Sequence, residues 1–178
     1  MRSKSIPTSS AHATHAYAQP QQQDHSYSPC QHAVQNLARL NLIDLISVKE
    51  DLEGTHFHYE PEKNRHFIKA TVDENNALRF GVRAKGDRAQ FGTGRDMFVG
   101  LMQKIENEGL TVERVKADWQ LDTESVNAQA FRANLAQGMG PRAAAKNTWT
   151  GQRLAEYGFR PSSGEQHGYC YNLVFKKG

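Results

Sequence analysis

The stretch FGTGRDMFVGLM, residues 91–102, sets Gly92, Thr93, Gly94 and Arg95 directly ahead of an amphipathic run that begins at Asp96. Glycines weaken regular structure, so two of them beside a cation at the threshold of a helix need a reason. A helix start presents unpaired N–H groups and the positive end of the macrodipole, and glycines let a ligand's phosphates approach that backbone. The same residues also suit an ordinary loop that turns into a helix. Arg88 adds a second cation just upstream. Thr93 and Asp96 have the spacing of a capping pair, and Met97, Phe98, Leu101, Met102 and Ile105 make one apolar face that ends at Glu108-Gly109.

Other reactive side chains are less concentrated. His56 and His58 point to one face of a strand by the period-two rule, and without a third ligand they read as surface or half-buried residues rather than a metal site. His12, His15, His25 and His32 lack a tight spacing with acids or cysteines. No Ser-His-Asp order, HExxH or paired CxxC motif is present, which lowers the case for hydrolase or zinc chemistry. Cys30 and Cys170 read as free thiols.

The elements that must position these residues follow from periodicity. Val34, Leu37, Leu40, Leu42, Leu45 and Ile46 predict a helix from about 31 that Gly54 stops. Residues 56–60, 65–72 and 77–84 predict an antiparallel meander with turns at PEKN and DENN. After the helix that starts near Asp96, LTVERVKADW predicts a strand. Two helices are expected over about 123–137, with Val126, Ala130, Phe131 and Leu135 inward, and over about 141–157, started by Pro141. FRPS and GYCYNLVFKK, separated by SGEQHG, predict a closing pair of strands, with Tyr169, Tyr171, Leu173 and Phe175 on one face. The expected class is α+β, a mixed, mainly antiparallel sheet flanked by helices.

Composition divides the chain. Residues 1–29 are rich in Ser, Thr, Ala, Gln, His and Pro, carry one acid, Asp24, and have almost no aliphatics after Ile6. Such a segment buries too little apolar surface to offset its ordering entropy and is expected to be a disordered leader, ahead of one α+β domain over 30–178. No apolar run is long enough to span a bilayer, and no Sec-type signal peptide is evident. The net charge of +3 is too small an excess to imply nucleic acid. Among the basic residues Arg79, Arg83 and Lys85 and the KGDRAQFGTGR loop, only Phe80 and Phe91 are interleaved aromatics, which speaks against a stacking platform.

From about 77 to 175 the chain resembles the GNAT acyltransferase superfamily, in which a strand leads into an arginine- and glycine-rich loop that opens a helix and holds acyl-coenzyme A. The residues that carry the likeness are Arg88, Gly92, Gly94 and Arg95, the strand LTVERVKADW, and LAEYGF at 154–159. Two features depart from that family. Three residues rather than two separate Arg88 from Gly92, and the predicted helix over 123–137 replaces a short link. The resemblance implies acetyl-CoA or another acyl-CoA as cosubstrate, no metal, and a pyrophosphate held by Arg88, Gly92, Thr93, Gly94 and Arg95. It further implies a base for an amine nucleophile, with Glu113, His56 or His58 as candidates, and a phenol, Tyr157 or Tyr171, to protonate the leaving thiolate.

A second resemblance covers 119–159. Trp119, Asn127, Phe131, Gly138, Ala145, the run Thr148-Trp149-Thr150-Gly151 and Gly158-Phe159 are similar to C-terminal domains of secreted bacterial polymorphic toxins. Trp149 reads first as a core anchor and alternatively as part of a binding floor. Together with a leader whose composition resembles bacterial effector export signals, this implies a secreted effector delivered into a target or host cell, with a target-cell protein and a secretion chaperone as partners. The competing reading is a non-enzymatic effector that binds a target protein through its sheet face or basic glycine loop.

Overall fold

The computed structural model describes residues 42–62, 66–84 and 93–178. Its seven strands form one sheet: β1 (Ser47–Asp51), β2 (Gly54–Glu62), β3 (His66–Val72), β4 (Ala77–Ala84), β5 (Arg114–Gln120), β6 (Phe159–His167) and β7 (Cys170–Lys177), in the order β1-β2-β3-β4-β5-β7-β6. Every neighbouring pair is antiparallel except β4 and β5, which run parallel. A parallel pair needs a crossover. Helix α1 (Gly94–Asn107) supplies it, and α2 (Val126–Ala136), α3 (Pro141–Lys146) and α4 (Trp149–Glu156) fill the link from β5 to β6. The chain is thus α+β with a mixed, mainly antiparallel sheet, as the pattern predicts.

The alternation of side chains explains why the helices share one layer. Phe57, Ile68, Ala70, Val72, Leu78, Val115, Leu173 and Phe175 all point to one face and are buried there. Phe98 of α1 meets Phe80 of β4 on that face, and Phe131 of α2 meets Trp119 and Tyr171. Trp149, at the start of α4, and Tyr157, just past its end, close around Phe98. The opposite face carries His56, Lys69, Thr71, Arg79, Arg83 and Lys116, all exposed or half-buried. Among the described residues no helix covers it.

Several boundaries differ from expectation. The first predicted helix is helical only over 42–45 within the described residues, and the chain enters β1 at Ser47 instead of continuing to Gly54. Gly54 has φ +130°, and a Cβ there would stand 2.2 Å from the Val72 carbonyl oxygen, so it serves a tight turn between β1 and β2. Residues 31–41 and the leader at 1–29 lie outside the described residues. The strand predicted over 110–119 starts at Arg114. Val126, expected inside, is 71% exposed, while Ala128 and Phe131 carry the buried face of α2.

The predicted helix over 141–157 is two helices. Thr148 ends the first and caps the second, its hydroxyl accepting from the Gly151 amide at 3.0 Å and donating to the Ala145 carbonyl at 2.8 Å. At Gly151 a Cβ would lie 2.1 Å from that same Ala145 oxygen, so the corner closes only around glycine. SGEQHG is mostly strand, because β6 runs to His167 and turns at Gly168-Tyr169. Tyr169 sits in that turn, 79% exposed, rather than in line with Tyr171, Leu173 and Phe175.

Candidate functional site

Thr93 starts α1 as expected, and the capping box is complete. The Asp96 amide donates to Thr93 Oγ1 at 3.3 Å, and the Thr93 amide and hydroxyl donate to Asp96 Oδ2 at 2.8 and 2.9 Å. Two of the helix's orphan donors are thereby satisfied internally, and the amides of Gly94 and Arg95 have no partner among the described residues. Gly94 keeps an ordinary helical φ, and a Cβ there would meet only Trp149 Cζ2 at 3.7 Å. Nothing in the backbone requires glycine at 94.

Charge gathers beside these amides. Arg95 Nη2 lies 3.4 Å from Glu156 Oε1 and 3.5 Å from Oε2, and Arg153 Nη1 reaches the same carboxylate at 2.6 Å. One carboxylate therefore stands between two guanidiniums. Behind it the rings of Phe80, Trp149 and Tyr157 lie 5.1, 6.1 and 5.5 Å from that of Phe98.

The sheet opens at the same end. Strands β4 and β5 pair only at Ala77–Arg114 and Leu78–Val115, and no further pairing joins them among the described residues. Beyond Leu78 the two strands present facing edges to a wedge, since each is fully paired on its other side. An ion pair of 3.8 Å between Arg79 Nε and Asp118 Oδ2 spans that gap on the polar face. Because α1 runs back from the end of β4 to the start of β5, its N-terminus lies at the open end of the wedge. An extended molecule bearing amides could pair with those edges while its anionic end met the helix start.

The residues singled out from sequence divide between the two ends of α1. Thr93, Gly94, Arg95 and Tyr157 come together at the open end; Arg88 and Gly92 lie outside the described residues. Glu113 sits at the closed end, where its amide donates to the Asn76 carbonyl at 3.0 Å and its own carbonyl accepts from Lys177. The intervening helix of 14 residues is about 20 Å long. Tyr171 is 8% exposed and packed 4.8 Å from the Phe131 ring, one strand away from the wedge. His56 and His58 point from β2 to the face that α1 does not cover. Trp149 packs on Phe98, as a core anchor would, and borders Gly94. Sequence reasoning missed Glu156 and Arg153. Their i, i+3 spacing on α4 was a signal for their own pair, but nothing local points Glu156 at Arg95.

Fold and wedge together define an α+β protein with a splayed parallel strand pair and a helix start at its mouth. A crystal structure described as that of a "putative N-acetyltransferase from Lactobacillus plantarum" is similar to this chain, with 14% sequence identity, a TM-score of 0.35, and coverage of 84% of this chain and 92% of that one. A likeness this distant carries no argument about activity. No protein-family model matches the sequence, and no curated protein does. Among the described residues no cluster of His, Cys, Asp or Glu is arranged to hold a metal ion, and no helix is long and apolar enough to cross a membrane.

Proposed function

We propose that the wedge binds acyl-coenzyme A and that the protein transfers the acyl group to an amine, as the GNAT resemblance implies. The observation that carries this reading is the early end of β4–β5 pairing beside the start of α1. Two facing strand edges suit the amides of a pantetheine arm, and the free amides of Gly94 and Arg95 with the Arg95 guanidinium suit its pyrophosphate. When bound, the cosubstrate supplies a thioester. Tyr157, the catalytic candidate at the open end of α1, would give a proton to the departing thiolate.

Two carboxylates at this mouth set a condition. Asp96 already occupies part of the helix start, and Glu156 already engages Arg95. A phosphate must therefore displace the Glu156 contact to reach Arg95. Thermal stabilisation by acetyl-coenzyme A tests the reading: ligand at a hundred times its dissociation constant adds about 2.7 kcal/mol. An unchanged melting temperature at millimolar ligand ends it. The sheet face that no helix covers among the described residues then favours the second reading, a non-enzymatic effector that binds a target protein there.

The effector role itself rests on the composition of residues 1–29 and on the toxin-like pattern over 119–159. Deletion of residues 2–29 should abolish export and leave the melting temperature unchanged. Unaltered export of the shortened chain removes that part of the reading.

A further inference from the structure

On the face of the sheet away from α1, three side chains from three strands form a hydrogen-bonded line. His56 Nδ1 lies 3.0 Å from Thr71 Oγ1, and His56 Nε2 lies 2.8 Å from Asp51 Oδ1. The pairing registers enforce this. His56 stands opposite Thr71 across β2 and β3, and Asp51 lies two residues beyond Lys49, the β1 partner of His56. The β1–β2 turn fixes the acid, since the Glu53 amide donates to Asp51 Oδ1 at 2.9 Å, and Gly54 holds that turn against Val72.

The protons can be placed. The hydrogen bond from His56 comes first among the causes that hold the Asp51 carboxyl below the usual carboxylate value, so the acid is ionised near neutral pH. An ionised carboxylate only accepts, hence Nε2 carries the hydrogen. In the neutral ring Nδ1 then presents its lone pair, and the Thr71 hydroxyl donates to it. A hydroxyl bonded to a neutral imidazole that is itself oriented by a carboxylate is the arrangement of an activated nucleophile. The line is open to solvent: the His56 and Asp51 side chains are 28% and 41% exposed. Arg79 stands opposite Thr71 on β4 and places a positive charge on the same face.

We propose that Thr71 is a nucleophile toward activated acyl carbonyls, esters or thioesters of small acids, with His56 as its general base and Asp51 as the residue that positions the imidazole. In the step, a bond forms between Thr71 Oγ1 and the carbonyl carbon while the bond from that carbon to the leaving oxygen or sulfur breaks. The hydroxyl proton passes to His56 Nδ1, and the leaving group departs with the electron pair and takes up that proton. The product is an ester on Thr71 and a free alcohol or thiol. This site is independent of the wedge, because it lies on the other face of the sheet and needs no coenzyme.

The test uses the full chain and p-nitrophenyl acetate, with peptide mass mapping to locate the acetyl group. Thr71 of the wild type gains one acetyl group as p-nitrophenolate is released, and Thr71→Ser gains it too. Thr71→Val gains none at that position, and His56→Gln loses about a hundredfold in rate, within the usual worth of a general base. Asp51→Asn lowers the acetylation rate at Thr71 in folded protein, and Asp51→Glu, which returns a carboxylate, restores part of it. The groups that face the ring are Asp51 and Lys49 from β1 and Thr71 from β3, with Arg79 one strand further. Melting temperatures of all variants show whether each is folded. Acetylation confined to lysines in the wild type, or a rate at Thr71 that is the same with and without His56 in folded protein, overturns the proposal.

Discussion

The two ends of α1 are made of the same helix and do opposite things. At the C-terminal end the backbone closes on itself: the Gly109 amide donates to Glu106, that of Leu110 to Ile105, and Glu113 to Asn76, which leads straight into the β4–β5 bridge pairs. Asp73 locks this corner by accepting from the Asn75 and Ala77 amides and from Lys116 Nζ, all at 2.9–3.0 Å. At the N-terminal end two amides have no partner among the described residues, two guanidiniums share one carboxylate, and the sheet is splayed. A site needs unmet bonding capacity, and a scaffold needs none. The contrast places Tyr157 and Glu113 at opposite ends of the helix.

The largest expected effect comes from the ring that joins both roles. Phe98 is fully buried and touches Phe80, Trp149 and Tyr157, so Phe98→Ala should cost about 3–5 kcal/mol of stability in denaturant unfolding. A loss below about 1 kcal/mol would mean that the open end is not anchored on this ring. Next comes Arg95→Ala, which should weaken acetyl-coenzyme A binding by about 1.5–3 kcal/mol, the worth of a charge-assisted contact. Its stability should hardly change, because the Glu156 pair is solvent-exposed. The reverse pattern would make Arg95 a structural residue.

The closed end should answer to acid instead of ligand. Burial alone would raise the Asp73 pKa, but the Ala77 and Asn75 amides and the Lys116 ammonium outweigh it and hold the carboxyl below its usual value. A depressed value in the folded state means stability that is present above the unfolded pKa of about 3.9 and lost as pH falls through the folded one. Asp73→Asn should flatten the fall in unfolding midpoint below about pH 4. An unchanged acid profile would remove Asp73 from the lock.

The smallest effect is the most discriminating. Gly94→Ala adds a Cβ with only an ordinary contact to Trp149, so folding should gain about 0.4–1 kcal/mol while the ligand loses its approach. A variant that is more stable and binds more weakly marks the glycine as kept for a ligand. One that is destabilised and binds normally marks it as scaffold.

Much of this was legible in the sequence, for identifiable reasons. The cap of α1 was readable because Thr93 and Asp96 signal locally, and the meander because the strands alternate and Asp73 starts the β3–β4 turn; β2 runs on to Glu62, into the stretch expected to turn. The β1 strand was not, since SVKED has no alternation of its own and is defined by its hairpin partner. The break at Thr148 escaped although Asn147, Thr148 and Gly151 are cap and breaker types, because the residues on both sides are strong helix formers; the Thr148 cap and the approach of Gly151 to Ala145 make the corner. The aromatic and charged groups at the mouth come from residues about 60 apart in sequence, Arg95 and Glu156, so no spacing could have announced them. Likewise the wedge is a property of where pairing stops, which no side chain states.

The most direct test of the wedge as an acyl-coenzyme A site is calorimetric titration of the wild-type chain with acetyl-coenzyme A beside Glu156→Gln. Removing the carboxylate charge frees Arg95 for phosphate, so both proteins should bind and the variant should bind more tightly. Absence of binding by both proteins at millimolar ligand would contradict the account, as would weaker binding by Glu156→Gln.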